Sequence, residues 1–240
     1  MPISFKPSFK LSIVSIILAS ILVYLGTWQI SRANYKKNFY NQMQQKSTKN
    51  PVSIKLLNLQ EKNFNNNRFT NVYFDGLFLN NFTFLLDNQM YQHKPGYKVI
   101  TAAHVQGLDK LILVDRGWIA IGQTRAAIPK LKNITDVKHI VGIINTIPTG
   151  IILKKDVFKN TDTWPIVIQN LDYEFISNAL QHKIYDFVVQ LQTHDLTSYD
   201  IIPIEPGVSS NKNISYAVQW YFFAALVIIY YLVTSIKKST

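Results

Sequence analysis

Two long uncharged stretches dominate the hydrophobic pattern of the chain. The first runs from Leu11 to Ser31 and the second from Asn213 to Ile236, and neither contains a charged residue. A helix needs about 20 mostly apolar residues to cross roughly 30 Å of hydrocarbon, so both stretches are long enough to span a membrane. A buried helix of a soluble protein, the alternative, is seldom apolar around its whole circumference over such a length. We therefore predict a transmembrane helix near each end.

The first stretch could instead be a cleaved signal peptide. The residues at its exit, Tyr24 to Gln29, lack the small-x-small pattern of a cleavage site, so we interpret it as an uncleaved anchor. Only ten residues precede it, so we expect no mitochondrial transit peptide and a bacterial chain. Tyr and Trp favour headgroup depth, and these residues mark the predicted membrane interfaces: Tyr24, Trp28, Tyr216, Trp220, Tyr221, Tyr230 and Tyr231.

The residues between the two stretches change to a pattern typical of strands. The polar segment Arg32 to Lys49 lacks Gly and Pro and should continue the first helix outward until Asn50-Pro51 breaks it. Asp172 to Gln181 should form a helix with Asp172 as its N-cap, and the Asn-rich stretch Asn63 to Asn67 a loop. Runs rich in Val, Ile, Phe and Tyr predict strands: Phe69–Leu79, Phe82–Asp87, Tyr97–Val105, Leu111–Ile121, His139–Ile147, Ile166–Asn170 and Ile184–Gln192.

Turn residues separate these runs at Asn80-Asn81, Lys94-Pro95-Gly96 and Gly107-Leu108-Asp109. Several short strands with one helix predict a β-rich α+β domain, an antiparallel sheet or a partly closed barrel, held between two transmembrane helices of a membrane protein.

The predicted organisation has five parts. Residues 1–10 form a cytoplasmic N-terminus and 11–31 the first transmembrane helix; residues 32–212 form an extracytoplasmic β-rich domain. Residues 213–236 form the second transmembrane helix and 237–240 a cytoplasmic C-terminus. Basic residues flank the second helix in favour of a cytoplasmic C-terminus, whereas those around the first helix point the other way. The intervening segment is longer than the roughly 60 residues over which such counts are informative.

The formal net charge of +11 lies at the flanks of the chain. All 14 acidic residues fall between Glu61 and Glu205, and the same span carries 14 Lys and Arg. A nucleic-acid-binding domain would carry the excess on its own body, so we expect no nucleic-acid partner and a contact of the flanks with membrane lipids. The absence of cysteine excludes disulfides and thiolate metal sites.

Motifs of enzymes are missing from the sequence. The nine glycines form neither GxGxxG nor a P-loop, and there is no nucleophile elbow and no HExxH pair. Isolated histidines more often serve structure than ligation; they are His93, His104, His139, His182 and His194. We therefore predict no catalytic site and no metal site, and a protein that is not an enzyme.

Asp115-Arg116-Gly117-Trp118 interrupts an apolar strand. Adjacent strand residues point to opposite faces, so Asp115 and Arg116 need separate partners, or the strand must bulge at Gly117. We favour a structural role, in which the charges are held by neighbouring groups, over a binding role, because unpaired buried charge is costly.

A second candidate lies at the exit of the first apolar stretch. Trp28, Arg32, Tyr35, Lys36 and Phe39 recur at steps of three and four, so a continued helix would carry them on one face. One interpretation is interfacial anchoring by rings and cations. The other is a pocket for an amphipathic, anionic ligand such as haem.

Several stretches carry a resemblance to a known family. They are LGTWQISRANYK (25–36), FLLDNQ (84–89) and PGYKVIT (95–101) after Gly76, LILVDRGWI (111–119), WPIVIQNLD (164–172) and NISYAVQWYFFA (213–224). In this order, between two apolar stretches, they resemble the Surfeit locus protein 1 family of cytochrome c oxidase assembly factors, as a bacterial member.

The resemblance implies a chaperone of the respiratory chain, a multi-pass protein of the bacterial inner membrane with a periplasmic central domain. It implies maturation or haem a insertion of oxidase subunit I, with haem a as a transient cofactor and haem A synthase as a further partner. The implied haem or partner site comprises Trp28, Gln29, Arg32, Lys36, Tyr216 and Trp220.

Two residues depart from the family pattern. Tyr35 stands where the family usually has Trp, and Asn213 where many members have His. A membrane-tethered structural or lipid-binding receptor is the alternative function that the flank charges allow. An envelope hydrolase is a further alternative for which the sequence offers no catalytic constellation.

Overall fold

The computed structural model describes residues 3–59, 64–122, 127–146, 164–192, 197–204 and 209–238. The chain divides into two compact units. A terminal unit comprises Met1–Gln42 with Glu205–Thr240, and a central unit comprises Met43–Ile204.

Two long helices form the terminal unit. Helix α1 spans Phe9–Ser47 and helix α4 spans Ser210–Ser235. Both are long and apolar enough to cross a membrane. Strand β1 (Ile3–Phe5) pairs antiparallel with β9 (Ile236–Lys238) beyond their ends. The prediction that the polar segment after the first apolar stretch continues the helix is confirmed as far as Ser47.

The two helices run antiparallel and contact each other through small residues. Ser12 Oγ lies 2.9 Å from the Tyr231 hydroxyl, and Thr27 Oγ1 lies 3.2 Å from the Tyr221 hydroxyl. The later residue of α1 thus meets the earlier residue of α4, as antiparallel helices require. Small residues that are spaced by 7 and 11, close to whole helical turns, let the backbones approach. They are Ser15, Gly26 and Ala33 on α1, and Ala217, Ala224 and Ser235 on α4, all of them buried.

A curled sheet of seven strands forms most of the central unit. The strands are β2 (Val52–Ser53), β3 (Asn71–Tyr91), β4 (Lys94–Val105), β5 (Leu111–Ala120), β6 (Lys138–Thr146), β7 (Ile166–Ile168) and β8 (Ile184–Leu191). Their hydrogen-bonded order is β2-β3-β4-β5-β8-β6, with β7 beside β3 and a further pairing of β6 with β3. A 3₁₀ turn (Ile54–Leu56), a short helix α2 (Phe64–Asn67) and helix α3 (Tyr173–Leu180) accompany the sheet.

The sheet is mixed, so the prediction of an antiparallel sheet is wrong. β3, β4 and β5 follow one another antiparallel, and β6 is antiparallel to both β3 and β8. β8, however, is parallel to β5, and β2 and β7 are parallel to β3. The chain joins β7 to β8 through α3, and the two strands run in the same direction, because β7 is parallel to β3 and β8 is parallel to β5. A helical crossover of this kind is the usual connection between strands of one direction.

The sheet does not form a closed barrel. β6 pairs with β3 over Asn71–Gly76, whereas β4 pairs with β3 from Gly76 to Tyr91. The second half of β3 meets the three-residue strand β7 on its other side. The two ends of the sheet therefore meet along only part of its height.

Two predicted turns differ from the structure. Asn80-Asn81 falls inside β3, at an irregular register between Phe78 and Thr83. Asn80 does not turn the chain, because its side chain exchanges two hydrogen bonds with the backbone of Ile134. The turn expected at Lys94-Pro95-Gly96 lies just before it, at Gln92-His93, where both residues have positive φ (47° and 62°).

Other local predictions agree with the structure. The turn at Gly107 is present, with a φ of +87°. Asp172 caps α3, accepting hydrogen bonds at 3.0 and 3.2 Å from the backbone N–H groups of Glu174 and Phe175.

The prediction of an Asn-rich loop is wrong for Phe64–Asn67, which form α2. Asn63, where this loop was predicted to begin, and Ile147, where a strand was predicted to end, lie outside the described residues.

Apolar side chains cover both faces of the sheet. One cluster lies on one face and includes Phe74, Val114 and Phe187. The other lies between the opposite face and α3, with Ile100, Leu113, Ile176 and Leu180 among its members. Because both faces are covered, the strands read as continuous apolar runs rather than as alternating ones.

Candidate functional site

A half-buried amide joins the two terminal helices. Lys36 Nζ on α1 donates a hydrogen bond of 2.7 Å to Asn213 Oδ1 on α4. Asn213 Nδ2 in turn donates one of 2.6 Å to Gln29 Oε1 on α1. Gln29 and Lys36 are seven residues apart, close to two turns, so both reach the same point of the partner helix. We call these three residues the amide bridge.

The amide bridge uses both ends of Asn213. Its oxygen accepts from Lys36 and its nitrogen donates to Gln29. Lys36 is only 7% exposed, so its ammonium has little contact with bulk water. The oxygen of Asn213 is one of the protein groups that take the place of that water. Such a two-way contact adds interhelical hydrogen bonds to the packing of the small residues.

A close approach of a ring to the α1 backbone lies about one turn before Gln29 of the bridge. A Cβ atom at Gly26 would stand 2.7 Å from the ring of Tyr221. Only glycine leaves room for this ring against α1. The contact of Gly26 with Tyr221 was not predicted from the sequence, although the spacing of Gly26 and Ala33 was a readable signal.

The remaining predicted site residues are exposed or make other contacts. Trp28 is 49% exposed, Tyr35 is 57% exposed, and the guanidinium of Arg32 lies 6.0 Å from the centre of the Tyr35 ring. Tyr216 is exposed, and Trp220 packs edge-on to Phe223 at 6.4 Å. Of the six predicted residues, the structure therefore brings Gln29 and Lys36 together, through Asn213.

Helix geometry explains this split. Trp28 and Lys36 are eight residues apart, which leaves about 80° of rotation beyond two full turns. Over that arc Lys36 reaches α4 while Trp28 remains exposed. The predicted single face of rings and cations is thus two neighbouring faces, one occupied by α4 and one open.

Comparison with known proteins decides the family. The model of the SURF1 family matches residues 16–225, which include both sides of the amide bridge. The chain belongs to the SURF1 family. A SURF1-like protein of Rickettsia felis is 30% identical over 234 residues, covering 93% of this chain and 96% of the relative. A SURF1-like protein of Rickettsia prowazekii is 28% identical over 220 residues, covering 89% and 84%.

The stretch from Asp115 to Trp118 has a structural role. Asp115 Oδ2 accepts a hydrogen bond of 3.0 Å from Lys98 Nζ, and Oδ1 accepts one of 3.0 Å from the N–H of Gly117. Arg116 is 1% exposed and donates to the carbonyls of Thr197 and Lys132 at 2.8 and 2.9 Å. The separate partners that we predicted for the two charges are present.

The strand also bulges at this motif. Between Asp115 and Trp118 it advances three residues while β4 advances two, and Gly117 has a φ of +108°. Both predicted solutions, separate partners and a bulge, are therefore realised. Lys98 was not predicted as a partner, because the register of β4 against β5 decides it.

Two of the described histidines make local contacts within the central unit. His139 pairs with Asp75 at 2.8 Å on an exposed surface, and His182 bonds the carbonyl of Leu180. Within the described ranges no group of three or more His, Cys, Asp or Glu could hold a metal ion. His194 lies outside those ranges.

The amide bridge does not fit axial ligation of haem. Both polar ends of Asn213 are engaged by side chains of α1. An amide is also not among the usual axial ligands of haem iron, which are His, Met, Cys and Tyr side chains. The bridge is suited to holding two helices in one register.

Proposed function

We propose that this SURF1-family protein is a membrane-anchored assembly factor for cytochrome c oxidase that acts on the core subunit of the oxidase and is not an enzyme. The observation that carries the proposal is the amide bridge, which joins the two family motifs on α1 and α4 by 2.7 and 2.6 Å hydrogen bonds. The residues of these motifs hold two apolar helices together. Such a role supports a protein that acts as a scaffold through contacts with other proteins.

The proposed arrangement is a multi-pass protein of the bacterial inner membrane. Both termini lie in the cytoplasm and the central unit in the periplasm. Two helices of sufficient length and hydropathy support the spans. Lys212 before the second span and Lys237 and Lys238 after it support the orientation of the C-terminus.

The proposed contact surface is the open face of α1. Trp28, Arg32 and Tyr35 combine exposed rings with a cation, and they lie beside the face that α4 covers. Aromatic and Arg side chains dominate the binding energy of protein interfaces. Any contact with haem a belongs to this open face, through rings and cations, and involves no ligation by Asn213.

A deletion strain tests the function. Loss of the gene should lower the amount of haem-a-loaded oxidase in membranes, measured by reduced-minus-oxidised spectra per amount of subunit I. Wild-type protein should restore it, and Asn213→Leu should restore it only in part, since the Lys36 ammonium and the Gln29 amide then lose their partner. Asn211→Leu, the same change at an exposed position of α4, should restore it fully.

The rival functions give different results. Normal oxidase in the deletion strain, with altered envelope lipids or an accumulated hydrolysis substrate, would reject the assembly role. Arg32→Ala should lower oxidase assembly while the chain still accumulates in membranes. Equal restoration by all three variants would remove both the bridge and the open face from the proposed mechanism.

A further inference from the structure

A small polar cavity lies on the face of the sheet that α3 covers. It has a volume of about 120 Å³. Its apolar wall consists of Leu86, Ile100, Leu171 and Val188, and its polar wall consists of Gln89, Lys98, Asp115, Asn145 and Gln190. The apolar wall belongs to the cluster packed around α3.

Strand register places the polar side chains together. Asp115 on β5 lies opposite Ile100 on β4 and opposite Gln190 on β8, so these three neighbours project from one face. On β6, Ile143 lies opposite Gln190 and Asn145 opposite Val188. Asn145 is therefore the diagonal neighbour of Gln190 across the pair.

Two acceptor oxygens in this wall are buried and receive no hydrogen bond from the part of the chain that the structure describes. Gln190 is only 5% exposed, and its Oε1 receives no hydrogen bond from any described residue. The Nε2 of the same amide donates to the carbonyl of Ile202, so exchanging oxygen and nitrogen would not relieve Oε1. Asn145 Oδ1 is also buried and receives no hydrogen bond from any described residue. Buried acceptors of this kind are rare in native proteins and call for a ligand.

The charges of the wall define the ligand. Asp115 and Lys98 form an ion pair of 3.0 Å and neutralise each other. The two free acceptors would repel an anion, and the ammonium of Lys98 disfavours a metal cation. What remains is a small neutral molecule that donates hydrogen bonds. One water occupies roughly 30 Å³ of liquid, so the cavity holds up to about four.

We propose that this cavity is a structural water site, in which ordered waters donate to Gln190 Oε1 and Asn145 Oδ1 and reach the Asp115–Lys98 pair. The site is independent of the amide bridge and of the proposed function. The waters give hydrogen-bond partners to the polar side chains of the cavity, while its apolar side chains belong to the cluster around α3.

The test compares an apolar replacement with the same change at an exposed position. Asn145→Leu fills the space of the waters and leaves Gln190 Oε1 without a donor. We expect the melting temperature of the purified full chain to fall by roughly 3–10 °C, as the loss of one buried hydrogen-bond partner implies. Asn81→Leu, an exposed asparagine in β3, should shift it by about 2 °C at most.

The opposite sign would overturn the proposal. If the cavity were dry, Asn145→Leu would remove one orphan oxygen and raise the melting temperature. A high-resolution structure of the wild-type chain gives an independent reading that does not depend on the variants. It should show separate water peaks within about 3.2 Å of both acceptors. Continuous density of an organic molecule, or a side chain donating to Gln190 Oε1, would refute the water site.

Discussion

Replacing Gly117 by Ala probes the most compact point of the central unit. Gly117 has a φ of +108°, and an added Cβ would lie 2.8 Å from the carbonyl oxygen of Asp200 and 2.9 Å from the carbonyl carbon of Tyr199. These are backbone atoms, held by the hydrogen bonds of Trp118 N–H to Asp200 O (2.6 Å) and of Tyr199 N–H to Arg116 O (2.7 Å). They cannot move away without breaking these hydrogen bonds.

The expected loss has two parts. A residue other than glycine at such a φ costs about 2 kcal/mol, and forcing a methyl group against fixed backbone costs about 2 kcal/mol more. At roughly 2–4 °C per kcal/mol, the melting temperature should fall by about 8–16 °C. Gly107→Ala is the matched control, because Gly107 has a φ of +87° and its nearest neighbour is Lys55 Nζ at 3.8 Å. It should lose only the conformational part, about 4–8 °C.

Thermal unfolding of the purified full chain, followed by tryptophan fluorescence, measures both variants, since Trp118 adjoins the bulge. The ratio of the two shifts is the informative quantity. Equal shifts would mean that the Cβ contact with Asp200 does not exist. If oxidase assembly declines in step with the melting temperature, the motif serves the fold; if Gly117→Ala abolishes assembly in a stable protein, the structural interpretation is wrong.

Three further predictions concern other parts of the chain. Burial, together with its hydrogen bond to Asp109, raises the pKa of Tyr185 to about 12. The protonated phenol is thus favoured in the folded state, and its contribution to stability should be complete below pH 10 and lost between about pH 10 and 12, a loss that Tyr185→Phe removes in pH-dependent melting curves. Arg116→Lys should cost about 2–4 kcal/mol in denaturant unfolding, because an ammonium cannot reproduce the guanidinium fork to Thr197 and Lys132; Lys138→Ala, at an exposed pair, should cost under about 0.5 kcal/mol. Reporter fusions at Lys10 and Lys238 should give cytoplasmic signals and a fusion at Lys130 a periplasmic one, and a cytoplasmic signal at Lys130 would contradict the proposed topology.

Features that depend on neighbouring residues were predictable from the sequence. The cap of α3 by Asp172 and the bulge at Gly117 each follow from a few consecutive residues. The parallel pairing of β8 with β5 does not, because it depends on residues about 70 positions apart. The Asn80-Asn81 pair misled for a related reason. Asparagine is typical of turns, but the side chain of Asn80 hydrogen-bonds the distant backbone of Ile134 instead.

The candidate site was predictable to the same extent. Periodicity placed Lys36, and the resemblance to the family placed Gln29, near the exit of the first apolar stretch. It could not choose between adjacent faces of α1, since about 80° of rotation decides whether a residue meets α4. Asn213 was recognised as a departure from the family pattern, yet its contacts required the register of the two helices. Lys98 was missed because no local pattern links it to Asp115.

The parallel pairing of β5 with β8 sets the order in which the chain can fold during its synthesis. β5 begins at Leu111, but its neighbour begins at Ile184, so one edge of β5 has no partner until most of the central unit has left the ribosome. The pairing of Asn71 with Ile143 imposes a similar wait on β3. Long-range closures of this kind are slow, and open strand edges in the meantime invite aggregation. We expect chains truncated before Ile184 to be degraded in pulse-chase experiments, whereas chains truncated after Ile204 should survive. The helix that follows emerges only after Leu191, so completion of the sheet and insertion of the last span should be nearly simultaneous events in the life of each molecule.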